Sequence, residues 1–190
     1  MSKLLYLDTE TTGLDAVRND LIEVSFIVEI DGVVKAEEKI RSQPFDYDAI
    51  DPAALLTTGL KVQDIKAFPT PADAYDAIIL LFEAFVDRFD KEDKFLPAGY
   101  NTVFDLNFLA GFFRKANPED RFGIGSFIKW QPFDLLAHLR NKAFAKGTDF
   151  KNFKLETVAA AHGLEIKAHD SASDVKVCRD LVKIYLHEFF

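Results

Sequence analysis

The sequence has a single cysteine, Cys178, which excludes an internal disulfide and fits a reducing compartment. It has no apolar run near the ~20 residues needed to span a bilayer. The apolar stretch at its start, Leu4 to Leu7, is too short for a secretory leader, so the expected location is cytoplasmic with no membrane partner. There is no internal repeat, low-complexity tract or long linker. With 190 residues, the chain is expected to form one domain, 1–190, around a single sizeable core. It also lacks an excess of positive charge: the formal net charge is −8, where a nucleic-acid partner usually leaves a basic footprint.

Two things offset that last absence. Acids that bind metal have their charge balanced by the cation. The charge is also uneven. Residues 129–154 carry Lys129, Arg140, Lys142, Lys146, Lys151 and Lys154 against Asp134 and Asp149, a local +4 that leaves −12 elsewhere. That segment reads either as a solvated surface or as a patch that meets a phosphate backbone. The 19 phenylalanines are abundant and read as core.

Apolar patterning predicts strands at 3–9, 21–30 and 33–42, the last two joined by a hairpin at Asp31-Gly32, and a short strand at 95–100. A turn-rich stretch, 43–71, carries a short helix near 52–58. Helical periods predict helices at 72–90, 104–116, 134–145, 154–162 and 173–188. A strand hairpin followed by alternating strands and helices points to an α/β or α+β sheet covered by helices.

The candidate chemistry begins at Asp8-Thr9-Glu10. Side chains alternate along a strand, so Asp8 and Glu10 project to the same side and repel each other unless a cation lies between them. Acids at a strand end also commonly just meet solvent. Asp105 stands four and seven residues before Leu109 and Phe112, on the apolar face of its helix, where a carboxylate needs a partner. Asp174 heads the stripe Val177, Cys178, Leu181, Val182, Tyr185 in the same way. Both positions equally suit acids that favour a helix start. His169 precedes Asp174 by five residues. If the four acids converge, their oxygen-only set suits magnesium or manganese rather than zinc. Two such ions, with a histidine to take a proton from water, would match phosphodiester hydrolysis.

Three segments, DTETTGLD at 8–15, YNTVFDLNFL at 100–109 and HDSASD at 169–174, resemble in order and spacing the motifs of the DEDD 3′→5′ exonuclease superfamily, in the subgroup with a histidine base. That family includes bacterial exonuclease I, the proofreading subunit (epsilon) of polymerase III, ribonuclease T and oligoribonuclease. The segments LLTTGLKVQDIKA at 55–67, AGYNTVFD at 98–105 and WQPFDLL at 130–136 are most similar to the exonuclease I nuclease domain.

The resemblance implies an α/β, ribonuclease H-like fold: a mixed five-stranded sheet flanked by helices. It implies two Mg2+ ions, with Mn2+ able to substitute. Asp8, Glu10 and Asp174 would hold the more enclosed ion. Asp8 would be shared with the second ion, which Asp105 reaches directly or through water. His169 would be the general base. The Thr11 backbone would hold the terminal 3′-hydroxyl, Leu14 and Phe104 would pack on the last bases, and Asn101 would join the substrate-binding set. The implied partner is a single-stranded nucleic acid 3′ end, DNA favoured over RNA, and a homodimer or a polymerase partner is compatible. Tyr100 and Ser171 depart from residues common in the family.

The principal alternative in the same chemistry is an RNA-trimming exoribonuclease of the ribonuclease T or oligoribonuclease type. From other classes come a non-catalytic nucleic-acid-binding module, a metal-dependent phosphatase and an acidic interaction domain.

Overall fold

The computed structural model describes residues 2–147, 150–166 and 170–186. Strand β1 (Lys3–Thr11) buries Leu5, Tyr6 and Leu7 in succession, as a strand covered on both faces must. It pairs antiparallel with β2 (Leu21–Ile30), which returns through Asp31 and Gly32 to β3 (Val33–Arg41). Both turn residues have positive φ, 49° and 80°, the backbone a two-residue hairpin needs to match strand twist. On the other side of β1, two short parallel strands follow, β4 (Leu96–Gly99) and β5 (Phe133–Asp134). The sheet is therefore mixed and five-stranded, in the order β3-β2-β1-β4-β5.

Helices cover both faces. Alternation sends Leu5, Leu7, Phe26 and Val28 to one face, under α3 (Pro71–Glu83) and α4 (Thr102–Ala116). Phenylalanine dominates here: the Phe82 ring lies 5.2 Å from Phe26 and 5.5 Å from both Phe95 and Phe127. Tyr6, Ile27 and Ala98 face the other way, under α5 (Leu135–Lys146), α6 (Leu155–Ala161) and α7 (Ser171–Leu186). Two small helices, α1 (Pro52–Thr58) and α2 (Val62–Ile65), fill the turn-rich stretch. No helix among the described residues is long and apolar enough to cross a membrane.

The structure departs from the sequence expectations in three places. Helix α3 stops at Glu83 instead of running to 90. Beyond it, Asp87 accepts from the Phe89 N–H at 3.0 Å and Asp90 from the Glu92 N–H at 2.9 Å, local bonds that compete with the helix. The helix at 104 begins at Thr102, and the two-residue β5 has too little length to leave a periodic signal. Within the described residues, the other predicted elements form within about two residues of the expected bounds, the ordinary fraying range.

Candidate active site

Strand β1 delivers two acids to one face. Asp8 pairs in register with Ser25 and Glu10 with Glu23, so these four side chains share the side that also carries Tyr6 and meets the start of α7. A register shift follows immediately, between Glu10 and Thr11, and ends the regular strand. Asp174 lies in the first turn of α7. The stripe predicted behind it, from Val177 to Tyr185, is buried.

Asp105 comes from the opposite layer, in the first turn of α4. It is 4% exposed, and Oδ1 accepts from the Thr9 N–H at 2.9 Å and the Thr9 hydroxyl at 2.7 Å. Thr9 points away from Asp8 and Glu10, so β1 presents acids on one side and a clamp for Asp105 on the other. Close approach of the β4–α4 turn makes this possible. A Cβ at Gly99 would stand 2.8 Å from Thr102 Oγ1 and 3.3 Å from the Leu7 carbonyl oxygen. The turn is held further by Asp134, whose Oδ1 accepts from the Asn101 N–H at 3.1 Å and caps α5 at the Ala137 N–H.

The electrostatics show that these acids feel one another. Burial holds Asp8 well above the usual carboxylate range, and Asp105, Asp174 and Glu10 push it further. Burial raises Glu10 to about 7, assisted by Glu23, Asp174 and Asp105. Burial also brings Asp105 to about 7, against the lowering effect of its two bonds from Thr9. Among the described residues, no lysine or arginine forms an ion pair with Asp8, Glu10 or Asp105. Nor, among them, are three or more His, Cys, Asp or Glu side chains drawn into a ready-made metal-binding group. Carboxylates that repel do not close into a shell by themselves, and oxygen donors with raised pKa values are a set that a hard divalent cation relieves.

Thr11 is buried, its hydroxyl donating to the Gly13 carbonyl at 2.6 Å. Asn101 is exposed at the N-cap of α4, in a left-handed conformation with φ of 63°. Leu14 is 84% exposed, and with half-buried Phe104 it lines a surface groove. His169 lies outside the described residues, as does Asp149 of the basic segment. In that segment, Lys142 sits 5.1 Å over the Tyr185 ring.

Sequence reasoning missed the roles of Thr9, Glu23 and Ser171. The Ser171 hydroxyl donates to Glu23 Oε1 at 2.7 Å and stands 2.7 Å from Ser25 Oγ, tying the start of α7 to β2. A polar Glu23 and Ser25 within an otherwise apolar strand were the available signal.

No protein-family model matches the chain, and no curated protein sequence matches it. Solved structures do. The chain is similar to E. coli exonuclease I in complex with a dT13 oligonucleotide, at 25% identity and TM-score 0.77, over 97% of this chain and 41% of that one. It is similar to the zinc-bound E. coli exonuclease I–single-stranded DNA complex, at 25% identity and TM-score 0.76, over 96% of this chain and 40% of that one. Apo exonuclease I superposes at 24% identity and TM-score 0.72, over 94% and 40% of the two chains. The chain thus shares the α/β, ribonuclease H-like exonuclease fold and spans about two fifths of those chains.

Proposed function

We propose that this chain is a metal-dependent 3′→5′ exonuclease of the histidine subgroup of the DEDD superfamily. It acts on single-stranded DNA 3′ ends and releases nucleoside 5′-monophosphates. The observation that carries the reading is a fold shared with exonuclease I on which Asp105, Asp174 and Glu10 add to burial in raising the Asp8 carboxyl, with no cationic partner closing on Asp8, Glu10 or Asp105 among the described residues. The same reading takes residues 1–190 as one catalytic domain.

Asp8, Glu10, Asp105 and Asp174 would hold two divalent cations, magnesium by preference for an all-oxygen set. Bound there, such ions supply positive charge to the oxygens of the scissile phosphodiester and acidify water. The protein's own part is positional. Thr9 fixes the Asp105 carboxylate with two hydrogen bonds, and Ser171 anchors the helix that carries Asp174. The Thr11 backbone and Asn101 would orient the strand terminus. Leu14 and Phe104 offer apolar surface to unpaired bases, a grip that does not read sequence. His169 would accept the proton of the attacking water on an imidazole nitrogen.

The test is magnesium-dependent release of mononucleotides from end-labelled single-stranded oligomers, DNA and RNA side by side. Release from the 3′ end, stronger on DNA and abolished by chelation, is expected. Faster release from RNA would move the assignment to an RNA-trimming enzyme, and no release from either would overturn it.

A further inference from the structure

The loop between β1 and β2 holds two apolar side chains in water: Leu14 is 84% exposed and Val17 79%. Single exposed apolar side chains are ordinary on a protein surface, but these two stand together on one loop and line the same groove. This backbone is well tied. Asp15 accepts from the Val17 N–H at 2.9 Å, and Asn19 Oδ1 accepts from the Asp15 N–H at 3.0 Å. The Asn19 amide donates to the Ala49 carbonyl at 2.7 Å, and the Thr12 hydroxyl accepts from the Asp20 N–H at 2.8 Å. Lys115 of α4 pairs with Asp20 at 2.6 Å. The loop also sits directly on α4 at Gly111, where a Cβ would stand 3.0 Å from the Ala16 carbonyl oxygen. The two tips are therefore presented in fixed positions.

They form one wall of a groove of about 480 Å³. Phe104, one residue before Asp105, lies at its inner end, and Trp130 and Arg114 complete it. Trp130 is 53% exposed, its indole edge against the backbone of Gly125. Arg114 is exposed and has no ion-pair partner among the described residues. Among the described residues, the only acid in the lining is Asp15, which already accepts from the loop backbone. An aromatic plane, two apolar tips and an unpaired guanidinium match an unpaired nucleobase with its phosphate. A base within a duplex has both faces covered by its neighbours and offers neither to Trp130.

We propose that this groove is a second binding site for the strand, beyond the terminal nucleotide. Trp130 stacks on a base upstream of the 3′ end, Val17 closes on its other side, and Arg114 meets the adjoining phosphate. The proposal rests on the nuclease reading above and names residues that set the affinity for single strands longer than the nucleotide being removed.

Trp130 is the sole tryptophan, so its emission reports on the groove without any need for turnover. With calcium in place of magnesium, a short oligothymidylate should quench that emission, while thymidine 5′-monophosphate should leave it unchanged. Trp130→Ala should weaken oligothymidylate binding, read by fluorescence anisotropy, about tenfold, the order expected for one stacked base. Trp130→Phe should restore most of it, and monophosphate binding should not move in either variant. Arg114→Gln should flatten the slope of log Kd against log salt by about 0.7, the share that one neutralised phosphate contributes on a single strand. Oligothymidylate binding with unchanged emission, and with Trp130→Ala binding as well as wild type, would overturn the groove while leaving the nuclease standing. Failure to bind either ligand or to release nucleotides with magnesium would overturn both.

Discussion

On β2, Glu23 and Glu29 are 4% and 3% exposed, and each is met by two cations. Arg41 and Lys39 reach Glu23 at 2.7 and 2.9 Å, and Arg179 and Lys183 reach Glu29 at 2.6 and 3.1 Å. One strand away, Asp8 and Glu10 lie directly opposite Ser25 and Glu23 and have no such partner among the described residues. The contrast shows in protonation. At Glu23, burial alone would raise the pKa, but hydrogen bonds from Arg41, Ser171 and Lys39 outweigh it and bring it below the usual value. At Glu10, burial prevails and lifts the pKa to about 7. The fold can supply basic side chains to buried acids and does so on β2. Leaving the β1 acids without them is what a site for a mobile cation requires.

The largest test of this contrast is removal of an acid from each strand. Asp8→Ala, Glu10→Ala and Asp174→Ala should each cost at least about 10³-fold in nucleotide release. In thermal melts without metal, Asp8→Ala should match or exceed wild type, because a repelling charge has gone. A wild-type rate in Asp8→Ala would end the metal-site reading. His169→Ala should lose about 10²–10⁴-fold in rate while still binding magnesium and oligonucleotide, and the acid limb of the wild-type pH–rate profile should disappear with it. A profile identical to wild type would remove His169 from the reaction.

On β2 the sign reverses. Glu29→Gln should lower metal-free stability by about 3–5 kcal/mol in denaturant melts, since Arg179 and Lys183 are left beside a neutral amide. Magnesium should not repair it.

The pH dependence of stability is the most diagnostic of the contrast. A carboxyl whose folded pKa is raised stabilises the fold fully below its unfolded pKa and loses that contribution as pH rises through the folded value. For Glu10 and Asp105 the window runs from the ordinary carboxylate range up to about 7. Glu23, with its pKa lowered, stays ionised throughout that window. Metal-free protein should therefore be less stable at pH 8 than at pH 5, by about 3 kcal/mol per raised group before coupling. Magnesium should restore stability at pH 8. Equal stability at both pH values without metal would mean that burial does not hold Glu10 and Asp105 above the ordinary carboxylate range.

Much of this was legible in the sequence because it follows from periodicity. The two-residue alternation that puts Asp8 and Glu10 on one face, and the helical stripes behind Asp105 and Asp174, required no tertiary knowledge. What was not legible depends on elements far apart in the chain. Thr9 clamps Asp105 across 96 residues, and Ser171 reaches Glu23 across 148. Local propensity does not encode such pairs. Trp130 read only as part of a resembling segment. Its place in the groove came from the packing of the loop at 12–19 on α4, which no local pattern encodes. The overlong helix at 72–90 was a local failure instead, since apolar period was counted and the aspartates beyond Glu83, which bond their own backbone, were not.

The outer strand β3 bears on how this molecule meets copies of itself. Among the described residues no strand pairs with its outer side, the kind of border on which another chain could add a strand. Lys35, Glu37, Glu38, Lys39 and Arg41 run along it. A neighbour extending the sheet would meet these charges, several of them held in ion pairs, and at the far border β5 offers only two residues to pair with. Strand addition is blocked at one border by charge and at the other by brevity. Among the described residues, both borders of the sheet thus make strand addition by a second copy costly.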